Sequence, residues 1–246
     1  MPTPTAIEWE KYRQIVILTG AGVSVASGLP TYRGEGGLWE SRNIAWIADA
    51  ANLPGSLPAL WKLYNERREK ALGAQPNAAH NAIADVQKQW GSGTRSITLV
   101  TQNVDGLHQR AGSPDVVELH GSAFRTRCTN ASCSLPAFAD ETVYGDDVPT
   151  CPECGSPLRP DVVLFGEMLP AAATWQVNRA LRECDLFLAA GTSGLVSPAS
   201  NLVRGAAYAG ARTILVNLDP MDPRDPSFQE EYLGRAEQIL PVLFGS

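Results

Sequence analysis

Short β-branched segments alternate along the chain with longer segments of helical spacing, and this alternation limits the folds that the sequence can adopt. The first β-branched segment, residues 15–19 (IVILT), leads directly into a glycine-rich turn. An uninterrupted apolar run of this length is typical of a parallel strand that is buried on both faces. Similar runs are residues 96–101, 186–190 and 213–218, and helical spacing is found in residues 77–90, 171–183 and 199–209. We therefore predict an α/β fold in which helices cover both faces of a parallel sheet.

Two stretches interrupt this alternation and predict a second, smaller lobe. Residues 34–76 begin with a glycine-rich loop and contain a strongly helical piece, residues 57–72. Residues 125–160 hold four of the five cysteines and several prolines. We expect the cleft between the sheet and this lobe to bind the ligand, because such clefts are the usual place for small-molecule sites.

Length and charge exclude several classes of protein. The chain has 246 residues and is 44% apolar, so it can bury a sizeable core and is neither a disordered tail nor a disulfide-stapled miniprotein. Its 20 basic residues are outnumbered by 26 acidic ones. Since no dense basic cluster occurs either, we expect no binding to nucleic acid or to anionic membranes.

The amino terminus and the apolar runs bear on location. Residues 1–5 (MPTPT) carry neither the basic nor the apolar part of a secretory signal. No apolar run approaches the ~18 residues that a membrane span requires. We therefore expect a cytoplasmic protein that does not enter a membrane. The sequence leaves the oligomeric state open, and our expectation is a monomer.

Four of the cysteines form two closely spaced pairs. Cys128 and Cys133 make the first pair, and Cys151 and Cys154 make the second after residues 134–150. Two such pairs can place four thiolates at the corners of a tetrahedron, which is the arrangement that structural zinc prefers. We therefore predict a structural zinc site, with two disulfides or unrelated free thiols as the alternatives. Cys184 stands apart and is expected to be a small buried residue.

The three histidines differ in their settings. His80 lies one turn into a predicted helix and His108 follows a polar turn, so both can be hydrogen-bonded parts of the structure. His120 ends an extended run and precedes a glycine, so its ring can project from a strand end into the cleft. Local sequence alone favours a structural role for a lone histidine of this kind.

Polar or glycine-rich turns follow four of the predicted strands. Because the carboxyl ends of parallel strands meet at one edge of a sheet, we expect these turns to lie together and to bind an elongated ligand such as a dinucleotide. The first turn is an incomplete dinucleotide-binding pattern, since Val25 stands where the third glycine belongs. The turn residues are Gly20, Ala21, Gly22 and Ser24 after the first strand, Gln102, Asn103 and Asp105 after the second, Gly191, Thr192 and Ser193 after the third, and Asn217 and Asp219 after the fourth.

These motifs, taken in order, resemble those of the sirtuins, the NAD-dependent protein lysine deacylases. The resemblance covers about residues 10–241. The matching motifs are residues 20–33, residues 101–108, His120 with Gly121, the two cysteine pairs, residues 162–167 (VVLFGE), residues 191–193, and Asn217 with Asp219. Two details depart from the family pattern. Tyr32 replaces the usual Phe beside the nicotinamide site, and residues 129–132 make the first cysteine spacing longer than the commoner one.

The resemblance implies a Rossmann-like parallel-sheet domain formed by residues 1–33, 77–124 and 161–246, with NAD as its cofactor. It also implies a smaller lobe, made of a helical module with a cofactor loop at residues 34–76 and a zinc-binding module of the zinc-ribbon type at residues 125–160. Acyl-lysine protein substrates are expected to enter between the lobes. The implied products are nicotinamide, O-acyl-ADP-ribose and free lysine.

The resemblance also assigns roles to individual residues. His120 is expected to be the general base, which takes a proton from a ribose hydroxyl after the acyl oxygen has attacked the ribose and nicotinamide has left. Tyr32 and Arg33 join the turn residues named above as expected cofactor contacts. The segment expected to pair with the substrate backbone by strand addition includes Val163, Phe165, Gly166 and Glu167.

Tyr64 and Arg67 bear on which acyl group is accepted. They are three residues apart on a predicted helix and therefore lie on one face. Spacing alone favours a solvated face with ion pairs, but the pair is similar to the feature by which desuccinylase and demalonylase sirtuins recognise acidic acyl chains. We therefore expect succinyl, malonyl and also acetyl groups to be removed. The alternatives are transfer of ADP-ribose to a protein acceptor and a non-catalytic zinc-ribbon binding module.

Overall fold

The computed structural model describes residues 3–31, 42–91, 93–145, 147–194 and 199–245. The predicted cofactor contacts Tyr32 and Arg33 lie outside the described residues. The strands are β1 (Gln14–Thr19), β2 (Ser96–Thr101), β3 (Val116–Glu118), β4 (Gly121–Cys128), β5 (Phe138–Ala139), β6 (Leu158–Val162), β7 (Leu186–Ala190), β8 (Arg212–Asn217) and β9 (Glu230–Leu233). The helices are α1 (Arg42–Ile47), α2 (Leu53–Gly73), α3 (Ala78–Trp90), α4 (Leu107–Arg110), α5 (Ala171–Arg182), α6 (Leu202–Tyr208) and α7 (Ala236–Phe244).

Six strands form one parallel sheet in the order β3-β2-β1-β7-β8-β9. The four predicted strands are its four central members, as expected of apolar runs that are buried on both faces. Of the two edge strands, β3 coincides with the extended run that the sequence predicts before His120. β9 (EEYL) has no predicted counterpart, because this edge strand is only partly buried and largely polar.

Successive residues of the central strands point to opposite faces of the sheet. Ile15 and Ile17 of β1 pack in one core with residues of α3 and α7. Val16 and Leu18 pack in a second core with residues of α5 and α6. The sheet is therefore covered by helices on both faces, which confirms the predicted α/β fold.

A smaller lobe is built on a three-stranded antiparallel sheet in the order β5-β4-β6, against which α2 packs. Its core combines Leu60 and Trp61 of α2 with Leu158 and Val162 of β6. The predicted module boundaries at positions 124 and 160 fall inside β4 and β6, so the exact division of the chain into modules stays a prediction.

A buried arginine fastens α2 to the small sheet. The Arg68 side chain is fully buried and donates hydrogen bonds to the Ala123 carbonyl (2.6 Å), to Thr126 Oγ1 (3.0 Å) and to Asp140 Oδ2 (3.2 Å). A buried charge is tolerated only when it is paired and hydrogen-bonded, and Asp140 supplies the opposite charge. The helical segment and the cysteine-bearing segment therefore form one packed lobe.

None of the helices in the described parts of the chain combines the length and the apolar character that crossing a membrane requires.

Candidate active site

The turns after the four central strands meet at the carboxyl edge of the sheet, as the sequence predicts. The Gly22 N–H donates to the Gly191 carbonyl (2.9 Å), and the Gln102 side-chain amide donates to Thr192 Oγ1 (3.0 Å). The Asn217 side-chain amide donates to the Thr192 carbonyl (2.8 Å). One connected surface of polar groups therefore spans four loops. Asp219 is exposed just beyond β8.

Glycine is required in the first turn because two loops touch there. A Cβ at Gly20 would lie 2.6 Å from the Gly191 carbonyl oxygen, and one at Gly22 would lie 2.6 Å from Gly191 Cα. Gly191 itself has φ 62, a left-handed conformation that favours glycine. Directly after Gly20, residues Ala21–Ser27 fold as a 3₁₀ helix. The close approach leaves bare backbone at the sheet edge, which is where phosphates of a dinucleotide bind in such folds.

Three predicted cofactor residues form a hydrogen-bonded unit. Asn103 donates its side-chain amide to the Gly20 carbonyl (3.1 Å) and to Ser24 Oγ (3.2 Å), and Ser24 Oγ donates to Asp105 Oδ2 (2.7 Å). Because both amide hydrogens of Asn103 are used, its side-chain oxygen is the group left to accept a bond from a ligand. Burial raises the pKa of Asp105, and the bonds from the Leu107 N–H and from Ser24 oppose that shift.

A polar cluster lies in the core directly beneath these loops. Thr19 Oγ1 lies 2.9 Å from Thr101 Oγ1 and 2.9 Å from His108 Nε2. The Asn103 N–H donates to Thr101 Oγ1 (3.1 Å), so the cluster supports the loop that carries Asn103. Neither Thr19 nor Thr101 is among the predicted site residues, although Thr101 begins the matched motif of residues 101–108. The sequence signal for both residues is a threonine at the last position of each of two apolar strands, β1 and β2.

His80 and His108 belong to this buried structure. Their rings are 4.8 Å apart, and both side chains are buried. Burial lowers the pKa of His80 to about 4 and that of His108 to about 3, so both rings are neutral at physiological pH. His80 Nδ1 also accepts the Asn77 N–H (3.3 Å) and thereby caps α3. These contacts agree with the structural roles that the sequence allows for the two residues.

His120 lies in the turn between β3 and β4, at the same edge of the sheet. Its Nδ1 is 3.0 Å from the Gln102 carbonyl oxygen. Because a carbonyl can only accept, Nδ1 carries the hydrogen and Nε2 keeps the lone pair that can take a proton. Burial lowers the pKa of His120, and the bond to Gln102 opposes that shift. His120 is thus oriented as a neutral base.

The turn at His120 depends on the glycine that follows it. Gly121 has φ 76, and a Cβ at this position would lie 2.1 Å from the Asp161 carbonyl oxygen. The backbone of β4 therefore approaches the neighbouring segment closely, and the Val163 N–H donates to the His120 carbonyl (3.0 Å). The predicted base and the predicted substrate-binding segment are direct neighbours.

Some backbone groups of the predicted substrate segment, residues 163–167, form hydrogen bonds within the protein. The Phe165 N–H donates to the Ala48 carbonyl (2.9 Å), and the Phe165 carbonyl accepts from the Ala50 N–H (3.0 Å). Gly166 has φ 82 and turns the chain immediately afterwards. Together with the bond from the Val163 N–H to the His120 carbonyl, these bonds occupy part of the backbone of residues 163–167.

Tyr64 and Arg67 face the interior of the small lobe, whereas spacing alone favours a solvated face. The Arg67 guanidinium lies 4.9 Å from the centre of the Tyr64 ring, and its nitrogen atoms are shielded from solvent. Tyr64 packs in the same apolar cluster as Val104 and Leu164. Tyr64 therefore belongs to the same core as the loop that carries Asn103 and the segment that follows β6.

The four clustered cysteines have the geometry of a metal site. The Sγ atoms of Cys128, Cys133, Cys151 and Cys154 all lie within 4.8 Å of one another, and the closest pairs are 3.6 Å apart. A tetrahedron with zinc–sulfur bonds of about 2.3 Å has sulfur–sulfur edges of about 3.8 Å. The thiols are free, which removes the disulfide alternative, and the residues fit zinc with no ligand position left open for chemistry.

Removing one zinc ligand is expected to loosen the small lobe. Cys151→Ala leaves three thiolates, and binding free energy at such sites is largely folding free energy. We expect less than stoichiometric zinc by elemental analysis and a loss of about 3 kcal/mol of unfolding free energy, or about 6–12 °C in Tm. Cys184→Ala, outside the cluster, is the control and should keep its zinc. Full zinc content and an unchanged Tm in Cys151→Ala would contradict a structural zinc site.

The sequence model of the Sir2 family matches residues 20–198 of this chain. A relative from Pseudomonas aeruginosa, named NAD-dependent protein deacylase 1, is 43% identical over 94% of this chain and 93% of its own length. Another from Pasteurella multocida, named NAD-dependent protein deacylase, is 38% identical over 94% of this chain and 96% of its own length.

Solved structures agree with these relatives. A Sir2 homologue in complex with NAD is similar with a TM-score of 0.86 and 37% identity, over 99% of this chain and 95% of that one. A Sir2 structure with a p53 peptide and NAD+ has a TM-score of 0.80 and 30% identity, over 94% of this chain and 92% of that one. The matching family model, the close relatives and the shared fold together show that this chain belongs to the Sir2 family, the sirtuins.

Proposed function

We propose that the protein removes acyl groups from protein lysines in an NAD-dependent reaction that yields nicotinamide, O-acyl-ADP-ribose and free lysine. One observation carries this proposal. The oriented base His120 lies at the same edge of the sheet as the connected polar loops and is hydrogen-bonded to both the Gln102 and the Val163 backbones. A dinucleotide site and a peptide site therefore meet at one proton acceptor.

The residues at the sheet edge fit NAD. The bare backbone at Gly20, Gly22 and Gly191 suits a pyrophosphate, and the side-chain oxygens of Asn103 and Asp105 suit a ribose or a carboxamide. Ala21, Ser24, Gln102, Thr192, Ser193, Asn217 and Asp219 complete the proposed set, together with Tyr32 and Arg33. Bound NAD supplies an electrophilic ribose carbon and nicotinamide as the leaving group.

His120 acts in this proposal as the general base. Its Nε2 receives a proton from the ribose hydroxyl, while the bond from Nδ1–H to the Gln102 carbonyl holds the ring and stabilises the positive charge that forms. Since burial lowers the pKa of His120, the ring is in its accepting form at neutral pH.

Protein lysines are the proposed substrates. The p53 peptide bound by a solved Sir2 relative supports this assignment. The substrate backbone would lie along residues 163–167, with Val163 and Gly166 as contacts. The acyl chain would reach Tyr64 and Arg67, where a guanidinium and a phenol hydroxyl can replace the water lost by a succinyl or malonyl carboxylate.

A panel of acylated peptides tests the proposal. One peptide is prepared with acetyl-, malonyl- or succinyl-lysine and incubated with the protein, with and without NAD. We expect mass spectrometry to show loss of the acyl group only when NAD is present. If ADP-ribose is added to protein while the acyl group stays intact, the activity is ADP-ribosyl transfer and not deacylation. No reaction with any peptide would contradict both activities.

The buried threonines beneath the site provide a separate prediction for NAD affinity. Thr101→Val keeps the side-chain shape but removes the acceptor of the Asn103 N–H, whereas Thr101→Ser keeps the hydroxyl. Loss of the Thr101 hydroxyl leaves the buried Asn103 N–H and the Thr19 hydroxyl without this acceptor. We therefore expect Thr101→Val to weaken NAD binding roughly tenfold. Thr101→Ser should stay within about twofold of wild type. Calorimetric titration measures both, and equal affinities for the two variants would refute this support role.

A further inference from the structure

We propose that Glu167 is a positioning residue, which holds the peptide-binding turn and His120 in register through a brace of hydrogen bonds to the buried Arg159 and the partly exposed Arg127. This inference rests on the proposed deacylase function and deepens it. The family resemblance implies that Glu167 contacts the substrate through strand addition, and the contacts of its side chain indicate a different task within the same site.

The carboxylate of Glu167 is surrounded by donors from its own chain. Oε1 accepts from Arg159 Nη1 (2.7 Å) and from Arg127 Nη2 (3.1 Å). Oε2 accepts from Arg159 Nη2 (3.0 Å) and from the Leu164 N–H (2.8 Å). A carboxylate that receives a two-pronged arginine and two further donors has little capacity left for a substrate amide.

Arg159 binds both ends of the segment of residues 162–167. Besides Glu167, its Nη2 donates to the Val162 carbonyl (2.6 Å), and its side chain is only 3% exposed. The Glu167 N–H in turn donates to the Leu164 carbonyl (3.1 Å), which closes a turn over residues 164–167. The guanidinium therefore sets the distance between residue 162 and residue 167.

The same segment supports the base. Val163 lies between Val162, which Arg159 holds, and Leu164, which Glu167 holds, and the Val163 N–H donates to the His120 carbonyl. A shift of the turn would therefore move the peptide-binding backbone and the His120 backbone together. The loop that carries Asn103 has its own support in Thr101 and Gly20, so the NAD contacts should be insulated from such a shift.

The expected consequence is a selective defect. Each carboxylate oxygen of Glu167 accepts two bonds, at least one of them from an arginine, so the amide N–H2 of Glu167→Gln must break an arginine bond in either orientation. Since a misplacement of about 1 Å can cost about 10²-fold in rate, we expect kcat/KM for the acyl peptide to fall roughly 10- to 100-fold. The dissociation constant of NAD should stay within about twofold of wild type.

The test compares Glu167→Gln with two further variants and a control. Glu167→Asp keeps the charge and should restore part of the peptide kcat/KM. Arg127→Met removes one hydrogen bond to Glu167 and a 3.8 Å ion pair with Asp161 from a residue whose side chain is 40% exposed, so it should fold normally and show a smaller loss in the same direction. Glu141→Gln, an exposed carboxylate of the same lobe, should behave as wild type.

The measurements are the peptide kcat and KM, the NAD dissociation constant by calorimetry, and Tm. A selective peptide defect in Glu167→Gln and Arg127→Met, with partial recovery in Glu167→Asp, supports the brace. Wild-type peptide kinetics in Glu167→Gln, or an equal loss of NAD and peptide affinity, overturns it. An inactive wild-type protein would refute the proposed function instead, so the two failures are distinguishable.

Discussion

His120→Ala is expected to lower kcat roughly 10²- to 10⁴-fold, which is the usual contribution of a positioned base. NAD affinity should be largely retained, because Asn103, Ser24 and Gly191 fix the loops that would hold NAD, and the imidazole adds only its one bond to the Gln102 carbonyl. Initial rates on one acyl peptide and calorimetric titration of NAD measure the two quantities on the same protein preparation.

The matched control is a change at the other candidate, His108. His108 contacts Thr19 in the core, and its lowered pKa keeps it neutral, so His108→Gln should affect stability more than proton transfer. If His120→Ala turns over like wild type while the His108 variant loses turnover, the base has been assigned to the wrong histidine. The pH profile is a second check. Because burial lowers the pKa of His120, the base stays deprotonated as the pH falls to the usual pKa of histidine. We therefore expect kcat/KM to decline only at pH values below that usual pKa.

Arg67→Met is expected to weaken desuccinylation roughly tenfold to a hundredfold or more. The guanidinium is shielded from solvent beside the Tyr64 ring, and hydrogen bonds to a charged group contribute about 1.5–3 kcal/mol. The neutral acetyl chain makes no such pair, so deacetylation should change little or improve. The measurement is kcat/KM for one peptide that carries succinyl- or acetyl-lysine.

Tyr64→Phe should act in the same direction as Arg67→Met and less strongly, since it removes one hydroxyl and keeps the ring. Glu69→Gln changes a charge on the exposed face of α2 and serves as the control. Equal losses on succinyl and acetyl substrates in Arg67→Met would mean that the pair supports the small lobe and does not select the acyl group.

The central strands could be predicted because their burial leaves a mark on local sequence. Residues 96–101 and 186–190 are β-branched or apolar runs, and the structure gives strands of those bounds. The largely polar edge strand β9 leaves no such mark. The first glycine-rich turn was found for its pattern, but the reason for its glycines lies in Gly191, far along the chain. Patterns within one segment cannot show which distant backbone approaches it.

The candidate site shows the same limit. The sequence singles out His120, but the bond that selects its tautomer comes from the Gln102 backbone, whose position depends on the packing of β2. The sequence assigns no role to Arg159, the arginine between Leu158 and Pro160 in β6. Its partner Glu167 is close in sequence, yet only the fold shows that Arg159 is buried and that the pair is two-pronged.

The most direct test of the central claim is the stoichiometry of the reaction. The wild-type protein is incubated with a succinyl-lysine peptide and a limiting amount of NAD, and nicotinamide and free-lysine peptide are quantified in the same sample. We predict one nicotinamide for each deacylated peptide and no deacylation when NAD is omitted. Deacylation without NAD, or nicotinamide release while the acyl peptide stays intact, would contradict the account.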